Sequence, residues 1–410
     1  MPRRGSLRAL GACVVLLCLA SGAAAQVAPG GSLTLQVAME RAFAANPTIA
    51  AARLRGAIDL ANLAVAQERL NPEASVELTN ELPHQAFGVA VPLELGGKRD
   101  KRIAVGQATI RAGEAELAAT IAQIRNDVRR AYYAVLVADA RLVVLREQRD
   151  LSARARDAAQ ARFDAGSAPR LEVMQAQLAV SAAENEAAAA ESTSVAARTQ
   201  LNGLLGQPIN ETPPLTGAID AGAPLASGAA VTMAQMASTQ LVLLDRQIDT
   251  QRARIALAEA LRTPDVTPTA TLTHDAQPEF SYGWRAGVAV TLPIFTSHRA
   301  GVLVEQSTLE QLMSQRQATV LKITSDVTAA AVLAEAQRLL YTRYRDEILP
   351  QAQQVEQTAQ DAYQLGQTGI AALLQALQAT RDIRLRSLDA VSQFQTALAD
   401  LERAIGAPLP

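Results

Sequence analysis

The sequence contains few aromatic side chains for a chain of its length. Aromatic residues make up 3% of its 410 residues, although 49% count as hydrophobic and many of these are alanine. A compact globular core normally fills its volume with large rings and branched aliphatic side chains. A chain that is rich in alanine and poor in rings instead favours helices that pack closely along their length.

Cysteine is also nearly absent. Both cysteines, Cys13 and Cys18, lie in an N-terminal segment that has the charged, apolar and small-residue regions of a secretory signal peptide. We expect cleavage near Ala25, which leaves a mature chain without disulfide bonds or thiolate metal sites. Leu17 precedes Cys18 where a lipoprotein signal needs a small side chain, so we do not expect a lipid anchor.

Several functional signals are missing from the rest of the chain. No later stretch approaches the roughly 18 apolar residues of a transmembrane helix, which leaves a soluble periplasmic protein or a β-barrel. The formal net charge of −2 gives no reason to expect nucleic acid as a partner. The three histidines lack ligand spacing, and no nucleophile–base pair stands out. We therefore predict no metal site, no cofactor, no catalytic residue and no enzymatic activity.

What the sequence does contain is a long internal repeat. Residues 201–208 reappear as residues 401–408, and the pattern of residues 163–166 reappears at 363–366. A repeat of this length indicates a duplicated half-molecule rather than a solenoid. We divide the chain into a signal peptide (1–25), a first repeat (26–207), a linker (208–228) and a second repeat (229–410).

Each repeat contains two segments in which polar and apolar residues alternate, the period of a β-strand. We predict these strands near residues 73–82 and 86–95 and near residues 265–274 and 279–292. One face of the first strand would carry acidic residues that line a lumen, namely Glu73, Glu77 and Glu81. One face of the last strand would carry membrane-interface aromatics, namely Phe280, Tyr282 and Trp284. Ordinary solvated residues and a soluble hairpin are the plainer interpretations.

Long helical patterns follow each pair of strands. Residues 98–163 contain no proline and have a heptad pattern, which predicts a helix about 100 Å long. The counterpart over residues 298–363 contains Pro350, where we expect a kink or a break. Each long helix stops at a glycine, Gly166 or Gly366, which suits a left-handed helix end, and a second helix then runs back.

These elements predict a mostly α fold with a small β part, built from a duplicated helix–β-hairpin–long helix–turn–helix unit. Four strands cannot close a membrane barrel, which needs about eight or more, whereas three copies supply enough. We expect a trimer in which a periplasmic tunnel of helices, an α-barrel, is joined to a 12-stranded β-barrel with four strands per chain.

The paired turns, the repeat ends and the proline-framed hairpins together resemble the TolC family of outer-membrane efflux proteins. Residues 92–99 with Arg102 are similar to the cation-efflux branch of that family, the CzcC-like proteins. The resemblance implies a homotrimeric, passive duct in the outer membrane lipid with a large periplasmic part. It also implies a periplasmic adaptor protein and an inner-membrane RND pump as partners, and heavy-metal cations as cargo.

The resemblance further implies that the two glycine turns form the periplasmic tip that contacts the adaptor. A role as simple helix caps is the alternative for these positions. The expected tip residues are Phe163, Gly166, Ser167, Leu171 and Glu172 in the first turn and Tyr363, Gly366, Gln367 and Leu373 in the second.

Two other functions remain open at this point. The same duct could export drugs, organic solutes or proteins. A soluble periplasmic coiled-coil scaffold would explain the heptads, but it would not need four strands of alternating pattern.

Overall fold

The computed structural model describes residues 32–208, 213–275, 281–292 and 294–409. The predicted signal peptide, with Cys13 and Cys18, lies outside the described residues, as does Phe280. The described chain is mostly helical and has one small antiparallel sheet, in agreement with the predicted fold class.

The same succession of elements occurs twice. The first half contains α1 (Leu35–Ala45), α2 (Pro47–Gln67), β1 (Glu73–Leu78), β2 (Gln85–Ala90), α3 (Lys98–Asp164) and α4 (Arg170–Leu205). The second half contains α5 (Ser227–Ala237), α6 (Thr239–Ala260), β3 (Val266–His274), β4 (Tyr282–Val290), α7 (Arg299–Arg343), α8 (Leu349–Gln364) and α9 (Ile370–Ile405).

The two long antiparallel pairs, α3 with α4 and α7–α8 with α9, form the body of the molecule. The heptad positions of α3 face this packing: Val128 and Val135 are fully buried, and Leu145 is nearly so. The halves are joined where α3 meets α9. There Arg129 forms an ion pair with Glu402 at 2.6 Å, and both side chains are buried.

The interruption expected near Pro350 is a change of helix type rather than a break. A π-helical segment, Tyr344–Ile348, joins α7 to α8. The backbone N–H of Leu349 bonds the carbonyl oxygen of Tyr344, five residues earlier, and the helix then continues into α8. Because Pro350 has no backbone N–H to donate, it is placed where one helical hydrogen bond is already missing.

The sheet has the strand order β1-β2-β3-β4, and every neighbouring pair is antiparallel. Its first strand is shorter than expected, because β1 ends at Leu78. The hydroxyl of Thr79 bonds the carbonyl oxygens of Glu81 and Pro83, at 2.7 and 2.8 Å, and this turns the chain out of the strand. Glu81 therefore does not share the strand with Glu73 and Glu77, contrary to the prediction.

Candidate functional site

The register of the sheet separates apolar from polar side chains across all four strands. Val76 pairs with Phe87, Phe87 with Leu272, and Leu272 with Trp284, so these four form one row on one face. Because side chains alternate along a strand, the rows on either side of this one belong to the opposite face. The alternation noticed in each segment thus produces one continuous apolar face.

This apolar face is the exposed one. Val76 is 67% exposed, Leu272 51% and Trp284 81%. On β2 the contrast is direct, because Phe87 is 48% exposed whereas its neighbour Gly88, on the other face, is buried. Within the described part of the chain no helix packs along either face of the sheet. A four-stranded sheet that shows its apolar face outward is the reverse of a sheet in a water-soluble fold.

The opposite face carries polar and small residues. Thr269, Thr271 and Thr273 of β3 lie on it, flanked by Glu73 and Glu77 on one edge strand and Arg285 on the other. Glycines make room on this face. A Cβ on Gly88 would come within 2.4 Å of the Ser75 hydroxyl, and one on Gly283 within 2.6 Å of the Thr273 hydroxyl.

Arg285 was not among the residues that we singled out from the sequence. The signal for it was present, because it interrupts an otherwise apolar and small stretch at a position opposite in face to Trp284. Of the predicted interface aromatics, Tyr282 and Trp284 share the apolar face at the end of β4 that follows the hairpin loop. Both are strongly exposed.

At the other end of the molecule, the two predicted glycine turns have the same geometry. Gly166 and Gly366 both have a φ of 71°, which is the left-handed region that glycine adopts without strain. Their N–H groups bond the carbonyl oxygens of Phe163 and Tyr363, at 2.9 and 3.0 Å. Both turns are exposed at the surface.

A small apolar cluster joins the two turns. Its buried members come from α3, α4, α8 and α9: Ala155, Ala159, Ala176, Tyr363, Ile370, Leu373 and Leu377. Tyr363 is 1% exposed and Leu373 is 4% exposed. These two predicted contact residues therefore hold the tip together from inside instead of offering a surface to a partner.

Tyr363 is held by polar contacts from the first half of the chain. The guanidinium of Arg162 lies 4.8 Å from its ring centroid, and its hydroxyl donates to the Glu172 carboxylate at 3.4 Å. Burial, followed by the nearby Glu172 charge, raises the pKa of Tyr363 above the usual value for tyrosine. The phenol therefore remains protonated and can donate this bond throughout the physiological pH range.

The remaining predicted tip residues lie at the surface. Phe163 is 39% exposed and Leu171 is 60% exposed, and Ser167 and Gln367 are exposed as well. The two copies of the turn thus differ, because Phe163 faces outward while its counterpart Tyr363 faces inward.

The segment that follows β2 connects the sheet to the helices. Arg99 and Arg102 donate to carbonyl oxygens at the C-terminal end of α2, including that of Gln67 at 2.7 Å. Arg102 also pairs with Glu94 at 2.6 Å, and the buried Lys98 pairs with Asp265 at 2.7 Å. Cations at a helix C-terminus interact favourably with its dipole, so this basic motif fixes α2 against α3 and the sheet.

The comparisons with known proteins agree with this architecture. Residues 38–207 match the family model described as outer membrane efflux protein. This match covers the first of the two halves of the chain. It is 25% identical over 382 residues to the cobalt-zinc-cadmium resistance protein CzcC of Cupriavidus metallidurans, covering 92% of this chain and 90% of that protein.

A second resistance protein and a solved channel structure are also similar to this chain. The nickel-cobalt-cadmium resistance protein NccC of Alcaligenes xylosoxydans xylosoxydans is 26% identical over 309 residues, covering 70% of this chain and 67% of that protein. The solved structure of the outer-membrane channel OprN has a TM-score of 0.75 at 16% identity, covering 91% of this chain and 90% of that chain. This last likeness concerns the fold alone.

The proteins that this chain is similar to are outer-membrane efflux proteins, which are channels and not enzymes. This likeness implies an outer-membrane location. None of the described helices is long and apolar enough to cross a membrane. In the described ranges, no three His, Cys, Asp or Glu side chains come together in a group that could hold a metal ion.

Proposed function

We propose that this protein is the passive outer-membrane duct of a tripartite efflux system that exports heavy-metal cations. The observation that supports this function most directly is the exposed apolar face of the sheet, which runs in register across four strands. Lipid is the environment in which such a face is stable, and backbone groups in lipid must all be paired within the protein. Among the described residues, both edge strands, β1 and β4, have one side without a partner strand.

Three copies of the chain satisfy these edges by forming one closed 12-stranded barrel, with four strands from each chain. The apolar face then meets lipid and the polar face lines the lumen. The long helix pairs of the three copies continue this lumen as an α-barrel through the periplasm. We propose the same two-repeat domain plan as predicted from the sequence, preceded by a signal peptide cleaved near Ala25.

Divalent metal cations are the cargo that the relatives favour, since CzcC and NccC carry cobalt, zinc, cadmium and nickel resistance in their names. The polar face is compatible with cations, because Glu73 and Glu77 place two carboxylates per chain on it. Tripled around an axis, such carboxylates attract cations without binding them tightly. Transit needs no resident metal site.

A passive duct requires partners that supply energy. We propose a periplasmic adaptor protein and an inner-membrane RND pump, with the adaptor docking at the tip. The exposed residues Phe163, Ser167, Leu171 and Gln367, beside the turn glycines, are the candidates for this contact. Tyr363, Leu373 and Glu172 instead position the turns.

Two measurements test the proposed function. Fractionation of the native host should recover the protein in the outer membrane as a trimer, and recovery in the soluble periplasm would favour the scaffold alternative. Deletion of the gene should sensitise cells to cobalt, zinc, cadmium or nickel, and plasmid-borne wild type should restore growth. Sensitivity to drugs or organic solutes alone, or loss of a secreted protein, would assign the duct to one of those cargoes instead.

A further inference from the structure

The two edges of the sheet carry opposite charges on the polar face. β1 carries Glu73 and Glu77, with Glu81 just beyond its end, and β4 carries Arg285. All are exposed, and within the described chain neither Arg285 nor Glu81 takes part in an ion pair. Opposite charges on the two open edges suggest that the edges recognise each other between copies of the chain. This argument rests on the proposed function, in which copies close one barrel with the polar face inside.

The backbone hydrogen bonds show on which side of β1 the other strands lie. In a strand of L-residues that runs upward, a side chain facing the viewer has its backbone N–H and C=O pointing to the viewer's right. Polar-face residue Thr79 donates its N–H to His84, towards β2, at 3.0 Å. Seen from outside the barrel, with the helices below, β2 therefore lies to the left of β1. Leu93 and Val266, paired at 2.9 Å on the apolar side, give the same direction for β3.

This direction decides how the edges meet. Barrel strands coil with a right-handed twist, so an upward strand leans to the right when seen from outside. A row of directly paired residues is perpendicular to the strands and therefore climbs towards the left. One such row joins Ser75, Gly88, Thr271 and Arg285. It must then reach β1 of the neighbouring copy at a point farther from the helices than that copy's own Ser75.

The size of the climb follows from strand geometry. Four strand spacings of about 4.8 Å, a tilt of about 35–45° and a rise of about 3.4 Å per residue give a shift of about 4 to 6 residues per chain. Only an even shift keeps the apolar side chains on one face. A shift of four places Arg285 opposite Thr79, diagonal to both Glu77 and Glu81. A shift of six places it directly opposite Glu81 when β1 of the neighbouring copy extends to that residue instead of turning at Thr79.

We propose that Arg285 on β4 pairs with Glu81 of the neighbouring copy and so sets the register in which the copies join. Both permitted shifts bring these two side chains within cross-strand reach. A shift of the strand register by two residues keeps every apolar side chain on the same face, so the alternation of residues does not select one register. A charge pair at one position does select it. The pairing gives a partner to the Glu81 side chain, which forms no ion pair within the described chain, and it requires β1 to extend past Leu78, where it ends in the single chain.

Cysteine cross-linking tests this register directly. In the full chain we would combine Arg285→Cys with Thr79→Cys, with Glu81→Cys or with Ser75→Cys, and oxidise isolated outer membranes. The Thr79 or Glu81 combination should give covalent dimers and trimers on denaturing gels. The Ser75 combination should give none, because it requires an untilted barrel. Within one chain β1 and β4 are three strand spacings apart, about 14 Å, which is too far for a disulfide.

Charge reversal provides the second measurement. Arg285→Glu should abolish or greatly reduce the oligomer that resists dissociation by detergent on heating, and adding Glu81→Arg should restore it. Thr267→Glu places a glutamate on the same face of a central strand, opposite Ala289 and away from Arg285, and should leave the oligomer intact. Cross-linking through Ser75, absence of cross-links from all three combinations, or lack of rescue by Glu81→Arg would overturn the proposal. If the unsubstituted chain were itself monomeric or soluble, the proposed function would fail with it.

Discussion

The hydroxyl of Tyr363 donates a hydrogen bond to the carboxylate of Glu172, which joins the second helical turn of the tip to the first. The two residues are 191 positions apart in sequence. Tyr363 is buried, and it contacts both the Glu172 carboxylate and the Arg162 guanidinium. The tip is thus one packed unit rather than two independent helix ends.

Removing either partner of this bond should loosen the tip. We expect Tyr363→Phe or Glu172→Ala to lower the local stability of the tip by about 1 kcal/mol. This corresponds to about a fivefold rise in the fraction of molecules in which the tip is locally unfolded. Trypsin cleavage after Arg162, followed by mass spectrometry, measures this opening. The double variant should be little worse than either single one, because both remove the same bond. Glu184→Ala, exposed on the same helix α4, is the matched control, and an equal effect there would refute the assignment.

The turn glycines should be sensitive to side-chain size. Gly366→Val forces a β-branched residue to a φ of 71° and should destabilise the turn by about 1–2 kcal/mol or more, although open space surrounds the position. Gly203→Ala, inside α4 with equally open surroundings, should instead be neutral or stabilising by up to about 1 kcal/mol. Thermal unfolding followed by circular dichroism compares the two. Equal melting temperatures would mean that the backbone conformation does not matter there.

The two faces of β3 should respond oppositely to the same substitution. Leu272→Arg places a charge on the apolar face and should cost about 2–4 kcal/mol if that position lies near the bilayer midplane. Thr269→Arg, three residues earlier on the polar face and opposite Gly287, should be tolerated. The amount of heat-resistant oligomer in the outer membrane measures both. Similar yields from the two variants would contradict the assignment of the apolar face to lipid.

The buried ion pair between the halves should matter far more than an exposed one between the same helices. Glu402→Gln leaves the buried guanidinium of Arg129 without its partner and should cost about 3 kcal/mol or more. Asp389→Asn removes the partner of Arg141 on the same two helices, but half of the Asp389 side chain is exposed, so we expect at most about 1 kcal/mol. Denaturant unfolding in detergent distinguishes these costs, and the reverse order would contradict this account.

The folded protein should lose stability at alkaline pH, because buried tyrosines keep their protons to higher pH in the folded state than in the unfolded state. Burial raises the pKa of Tyr132 and Tyr133 in α3 above the ordinary tyrosine value. The folded chain therefore binds more protons than the unfolded chain at high pH. The stabilisation is complete below about pH 10 and is lost as the pH rises through the raised values. Tyr133→Phe should flatten the fall in melting temperature above about pH 10, and an unchanged slope would argue against this cause.

Much of the fold could be predicted because it depends on local patterns that occur twice. Gly166 and Gly366 end their helices as expected, since a left-handed turn needs a residue without a side chain. The long helix α3 has almost the predicted bounds. Burial at the tip could not be predicted, because Phe163 and Tyr363 look equivalent in sequence and only the packing between the two halves separates them.

The end of β1 and the register of the sheet also could not be predicted from the alternation of residues within one strand. The alternation around Glu81 continues past Leu78, yet the hydroxyl of Thr79 bonds the turn backbone and ends the strand early. The proposed role of Arg285 likewise depends on the register of all four strands. Pairing between distant segments is the information that alternation in one segment lacks.

The π-helical segment Tyr344–Ile348 has a consequence for how the two halves correspond. Before it, buried positions match at an offset of 199, as with Val128 and Val327; after it they match at 200, as with Ser152 and Ala352. One extra residue in an α-helix would rotate everything beyond it by about 100°. A π turn takes up that residue and keeps the phase. The segment is therefore the place where the second half accommodates a single-residue insertion.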